Sequence, residues 1–338
     1  MKKNLSLTLL MSLLIASIGL ENSMAEENKS NKKNVPQNSE TKSSNNNFQK
    51  LLGEKLSLGL FTSYQRSEFS FDTPAGHSIL KWREMEGYSV GSEIKYKVLD
   101  LQSEKGWLKG NDLFFSYTYS NLRGEGTDDD ISNYTEDSYV SAFSVQKAKG
   151  TVNDFRFGSN FDFEKFETFT PSLRLGAFYK KLKFDMNDGN SVAVNYYNKI
   201  AGNYRITGLG QRTESEFSGL TIGGKISSKN NDSENALIVD LYPAVSYFGR
   251  QYWPQRDPED RNWKLSDAQP GFGFKVAYEH YFKALNQNFK IFSSYESIRV
   301  NKLNEKGDYY SVKGGSAYSE AKGNAKFNSF MFGLGIYF

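Results

Sequence analysis

Apolar side chains recur at every second position in segment after segment of this chain, and the stretches between those segments are polar. A period of two is the mark of an extended strand, whose successive side chains point to opposite faces. The carboxyl terminus shows it most clearly. There Phe330, Phe332, Leu334, Ile336 and Phe338 fall on one face and Gly333 and Gly335 on the other. Near the start of the patterned region, Leu56, Leu58 and Leu60 oppose Ser57, Gly59 and Phe61. Around 112–123, Phe115, Tyr117 and Tyr119 oppose Phe114, Ser116 and Thr118. At 172–184, Leu173, Leu175, Ala177 and Tyr179 oppose Arg174, Gly176 and Lys180, and at 236–250 Leu237, Val239, Leu241, Val245 and Tyr247 oppose Asp240, Tyr242, Ala244 and Ser246. The first and last of these segments span 55–71 and 326–338, and with five further ones at 79–98, 151–163, 212–226, 271–282 and 289–303 the pattern predicts about ten strands.

This patterning points to an all-β fold, a transmembrane antiparallel up-and-down β-barrel of about ten strands. A membrane strand needs only ~9–11 residues, whereas each strand with its connection here spans roughly thirty, so the strands are expected to extend beyond the outer membrane. An even count brings both ends of the barrel to one side. The joins near 100–110, 164–171, 228–235 and 284–288 are short, and those at 127–150, 185–211, 250–270 and 305–325 are long. Placing Phe338 on the periplasmic side then directs the long connections outward, with Asp128, Asp129 and Asp130 outside and His280 near the periplasm.

The amino terminus fits the same compartment. Lys2 and Lys3 precede an apolar run over 5–20, and Ser23-Met24-Ala25 supplies small residues where cleavage is usual. The expected organisation is a cleaved signal peptide at 1–25, a disordered polar leader at 26–50 and the barrel at 51–338. No apolar run in 51–338 is long enough for a spanning helix. With no Cys in the chain, disulfides, thiolate metal sites and a lipid-modified cysteine anchor are all excluded. The net charge of +3 is close to neutral and no basic block follows the leader, so nucleic acid is not an expected partner. Neither a metal cluster nor a phosphate-cradling loop followed by a helix is present, and no cofactor is expected.

Several segments resemble the omptins, a family of ten-stranded outer-membrane barrels of which many are surface endopeptidases. They are Ile79-Leu80-Lys81-Trp82, Arg123-Gly124-Glu125-Gly126, Leu173-Arg174-Leu175-Gly176-Ala177-Phe178-Tyr179 and Phe217-Ser218-Gly219-Leu220-Thr221-Ile222-Gly223-Gly224, in the family's order along most of the barrel. The terminal Phe330, Phe332, Leu334, Ile336 and Phe338 are similar to the closing-strand signal that barrel-assembly machinery reads. The resemblance implies catalysis by an Asp pair at the outer end of strand three and an Asp-His pair at the outer end of strand seven, which together activate a water.

Asp128 and Asp130 match the spacing of the first pair, with two carboxylates on one face of an extended tip. The second pair is incomplete, because Arg250-Gln251-Tyr252-Trp253-Pro254-Gln255-Arg256-Asp257 contains no His. A general base at neutral pH is most often His, and the chain has two. His77, in the first outer turn, is the candidate; His280 is expected at the wrong end of the barrel. Tyr252, Trp253, Arg256 and Asp257 combine aromatic and charged groups suited to lipid headgroups or lipopolysaccharide phosphates. Outer-membrane lipids, with lipopolysaccharide as one candidate, and the assembly machinery are thus the expected partners. Three functions follow: a structural or ligand-binding surface barrel without standard protease activity, an omptin-type endopeptidase using Asp128 and Asp130, or a narrow porin. Ten strands make a narrow lumen, and inward Arg174, Lys180, Asp240, Lys275 and Glu279 are expected to fill it largely with paired charges, which weighs against the porin.

Overall fold

The computed structural model describes residues 55–72, 78–100, 107–132, 139–194, 200–230, 232–252, 263–284, 287–307 and 317–338. Strands follow one another in the order β1 (Leu56–Asp72), β2 (Ser78–Asp100), β3 (Leu108–Ser132), β4 (Tyr139–Phe163), β5 (Phe169–Val194), β6 (Ile200–Lys229), β7 (Ser233–Tyr252), β8 (Trp263–Asp267), β9 (Gly271–Ala284), β10 (Gln287–Gly307) and β11 (Ala317–Tyr337). Each pairs antiparallel with its neighbours, and β11 pairs with both β10 and β1, which closes the sheet into a ring. At the closing end, Leu58 and Phe338 exchange backbone hydrogen bonds of 3.2 and 2.9 Å.

Eleven strands make ten staves, because β8 and β9 both lie between β7 and β10 and share one stave. The break falls at Ala268-Gln269-Pro270, where proline has no amide proton to give to a ladder. Most of the chain expected in long loops is strand instead: β3 and β4 are each 25 residues long and β6 is 30. A strand of 25 residues, at ~3.3 Å per residue and a typical tilt of about 40°, rises roughly 60 Å, more than twice an apolar belt of ~25 Å.

The exterior belt consists of alternating apolar residues. Leu56, Tyr88, Val90, Ile94, Phe115, Phe157, Leu175, Ile222, Val239, Leu241, Phe274, Phe332 and Leu334 are all exposed on the outer face. Beyond the belt the apolar alternation changes sides. In β1 the even positions Leu56 and Tyr64 face out, whereas the odd positions Phe69 and Phe71 face in and are fully buried. β-bulges assist the change by adding a residue to one strand, which flips every side chain beyond it. One lies at Arg83–Glu86, where Glu84 takes a φ of 50°, and turns Leu80 and Trp82 inward. Another, opposite Gly219–Ile222, turns Val245 and Tyr247 inward, so these two leave the face that strict alternation assigned them with Leu237, Val239 and Leu241.

As a result the projecting half has an apolar core like that of a soluble protein. Among the described residues, every strand except β9 contributes to one buried cluster, which includes Phe69, Trp82, Leu122, Phe184, Phe217, Tyr247, Val300 and Phe327. Its contacts cross the lumen. Phe217 of β6 meets Phe69 of β1 at 6.3 Å and Phe327 of β11 at 6.5 Å between ring centroids, and Trp82 of β2 stacks on Phe184 of β5 at 5.8 Å.

At belt level the lumen is ionic. Arg156 donates to Glu296 across the barrel at 2.6 Å and to Asp154 at 2.9 Å, while Lys180 reaches the same two carboxylates at 2.9 and 2.6 Å. Tyr242 donates to Glu296 at 2.8 Å. Arg174 pairs with Asp240 at 2.9 Å, and nearer the end at which β11 finishes Lys290 pairs with Glu279 at 3.1 Å and Glu93 at 3.0 Å. Paired lumenal charge was the expectation for Arg174, Lys180, Asp240, Glu279 and Lys275, and Lys275 is the exception.

Candidate functional site

The acidic run Asp128-Asp129-Asp130 lies within β3, not at a loop tip. Carboxylates disfavour strands when they have nothing to bind, and here the neighbouring strand supplies partners. Asp128 is only 8% exposed, faces the interior and accepts a 2.6 Å hydrogen bond from the Ser78 hydroxyl of β2. Asp129 points the other way and pairs with Lys81 at 3.2 Å. Asp130 pairs through its backbone register with Ser78 and Ala142, and its side chain lies outside the described residues. His77, Trp253, Arg256 and Asp257 also lie outside them, so the separation between His77 and the two carboxylates is not part of this geometry.

His280 sits on the outer face of β9, toward the end of the barrel where β9 turns into β10. Its Nδ1 contacts Asn235 Oδ1 at 2.8 Å and its ring stacks on Phe282. Tyr252 ends β7, in register with Arg212 of β6. Of the closing-strand residues, Phe330, Phe332, Leu334 and Phe338 are exposed on the exterior and Ile336 is half-buried.

Just above the belt, the exterior wall carries a ladder of opposite charges. Lys181 bonds Glu216 at 2.6 Å, Lys183 lies 3.6 Å from Glu214, and Arg212 grips both oxygens of Asp185 at 2.6 and 2.9 Å. Partial burial alone would raise the Glu216 carboxyl, but hydrogen bonds from Lys181 and Tyr179 hold it below the usual carboxylate range. On the inside, burial pushes the Tyr247 phenol up, and its oxygen is 3.0 Å from the Ser215 hydroxyl. A phenol raised in this way stays protonated and serves as a structural donor or acceptor rather than a base.

Strict alternation did not mark the residues that close the lumen over Asp128's side of the barrel. The signal was available in the change of apolar phase between Leu60 and Phe69 in β1, and between Tyr179 and Leu182 in β5. Among the described residues, no group of three or more His, Asp and Glu is arranged to hold a metal ion.

No protein-family model matches the sequence, and no curated protein matches it. Solved structures do. The outer membrane protease OmpT from Escherichia coli superposes with a TM-score of 0.70 at 10% identity, over 84% of this chain and 96% of that one. Ail, the attachment invasion locus protein of Yersinia pestis, matches at TM-score 0.25 and 10% identity over 84% of this chain and 99% of its own. A Pseudomonas aeruginosa FadL homologue gives 0.27 and 8% over 84% and 90%. The first likeness establishes the fold: this chain is an omptin-like transmembrane β-barrel. The other two superpose too loosely to define its architecture.

Proposed function

We propose that the protein is a bacterial outer-membrane surface barrel that works by structure or by binding at its outer wall and rim, without the standard protease activity of its fold neighbour. What carries this reading is the closed core of the projecting half, where Trp82, Phe69, Phe184, Phe217 and Phe327 meet across the lumen. Asp128, the one catalytic candidate with a described side chain, is engaged with Ser78 beneath the surface. The same core disfavours the porin, since an apolar constriction with rings in contact leaves no aqueous path.

In this reading residues 1–25 direct export and are cleaved, 26–50 form a polar leader, and the terminal Phe330, Phe332, Leu334, Ile336 and Phe338 serve insertion by the assembly machinery. Outer-leaflet lipid, lipopolysaccharide included, is the expected contact of the charged ladder and of Tyr252, Trp253, Arg256 and Asp257. The test is to incubate refolded protein with peptides containing paired basic residues, with and without lipopolysaccharide. No cleavage is expected; cleavage that Asp128→Ala with Asp130→Ala abolishes would establish the endopeptidase instead. Planar-bilayer recordings should show no steady conductance, and open-channel current would restore the porin.

A further inference from the structure

We propose that the barrel lumen holds a binding site for a small monovalent anion, centred on Lys275. This residue faces inward from β9, and its register neighbours on the two flanking strands are Asp240 and Glu296. Both carboxylates are engaged elsewhere: Asp240 by Arg174, and Glu296 by Arg156 and Lys180. The surrounding lumenal charges balance in groups. Arg156 and Lys180 share Asp154 and Glu296, Arg174 has Asp240, and Lys95 and Lys290 share Glu93 and Glu279. Among the described residues Lys275 is the lumenal cation left with no ion pair or hydrogen bond.

Its side chain borders open space. Lys275, Thr118 and Ser294 line both a cavity of about 100 Å³ and an adjoining one of about 20 Å³. The Thr118 and Ser294 hydroxyls make no hydrogen bond to described protein groups and are free to donate into that space. One water requires ~10–15 Å³ measured this way, so the larger cavity has room for an anion together with part of its hydration shell. An ammonium held away from bulk water gains from a direct partner, and an anion in this space accepts from Lys275 together with the Thr118 and Ser294 hydroxyls. Asp154, Asp240 and Glu296 border the same space, and their charges disfavour a dianion more strongly than a monovalent ion such as a halide or nitrate. Asp154 Oδ1 is buried without a partner, and that carboxylate's charge is taken up through Oδ2 by Arg156 and Lys180. With the apolar core closing the outer half, the ion reaches the site from the periplasmic end.

The experiment is chloride titration of the refolded full chain in micelles, read by the chloride NMR line width. Wild type is expected to show a saturable excess broadening. Lys275→Gln should weaken the apparent affinity at least about tenfold, the worth of one charge-assisted hydrogen bond. Lys183→Gln, on the exterior wall, should leave it unchanged. Absence of a saturable component, or an affinity unaltered by Lys275→Gln, overturns the site. If Lys275→Gln does not refold, wild-type crystals grown in bromide decide: an anomalous peak beside Lys275 Nζ supports the site, and its absence refutes it.

Discussion

Replacing Trp82 tests whether the projecting half is a packed core or a loosely walled tube. Its indole is fully buried and stacks on Phe69 at 5.4 Å, Phe71 at 5.8 Å and Phe184 at 5.8 Å. Trp82→Ala removes those contacts and leaves a cavity in a ring of strands that cannot collapse, which should cost about 3–5 kcal/mol. Trp82→Phe separates two opposed effects. It forfeits some packing, about 1–2 kcal/mol for the smaller ring, but it also removes an indole N–H that is buried with no hydrogen-bond partner. An unsatisfied buried donor costs about 1–3 kcal/mol, so the two effects offset and Trp82→Phe should lie within about 1 kcal/mol of wild type. Equilibrium denaturant unfolding in micelles, followed by circular dichroism, measures both variants provided the slope is unchanged. The reasoning fails if Trp82→Ala costs under about 1 kcal/mol, since a core residue of that size cannot be so cheap. It also fails if Trp82→Phe costs as much as Trp82→Ala.

Other sites make distinct predictions. Glu296→Ala strands Arg156 and Lys180 in the lumen and should destabilise by about 3–5 kcal/mol in the same assay, because breaking a buried ion pair leaves uncompensated charge. Glu216 has a folded-state pKa below its ordinary value, so its contribution is complete above the unfolded value near 4.5 and is lost as pH falls through the lower folded one. Glu216→Gln should therefore lower stability at neutral pH and flatten the acid limb, with the two profiles converging as pH falls below about 4.5. Phe338→Ala should reduce the amount of barrel assembled in cells while leaving spontaneous refolding into micelles intact; equal losses in both would rule out an assembly signal at this residue. Gly150→Ala should destabilise, since a methyl group there collides with the Phe184 ring in the core and with the Lys183 carbonyl.

Strand existence and the grouping of apolar residues on one face of each membrane strand could be read from alternation in the sequence, because side-chain period is a local property of an extended backbone. That is why Leu56, Leu175 and Phe332 were each grouped on one face of their strands, the face that is exterior in the barrel, and why Arg174, Lys180 and Asp240 were assigned to the lumen. Strand ends were much less legible. Polar residues of the projecting wall carry loop-like composition, so the Asp128 run was read as a tip although Ser78 and Lys81 hold it in a ladder.

What only the tertiary structure decided depends on neighbours distant in sequence. A bulge is defined by the register of two strands, so no single strand reveals that Val245 and Tyr247 turn inward or that Trp82 meets Phe184 across the barrel. Closure of the outer lumen follows from those turns, and with it the preference against a protease or pore. Charge pairing is decided in the same way: Lys275 looks like any other lumenal lysine until the ring places Arg174 on Asp240 and Arg156 with Lys180 on Glu296. The sequence alone determined a membrane barrel, since lipid demands a local alternation. Its interior was determined by the closed ring, since only closure brings β1 against β6 and β4 against β10.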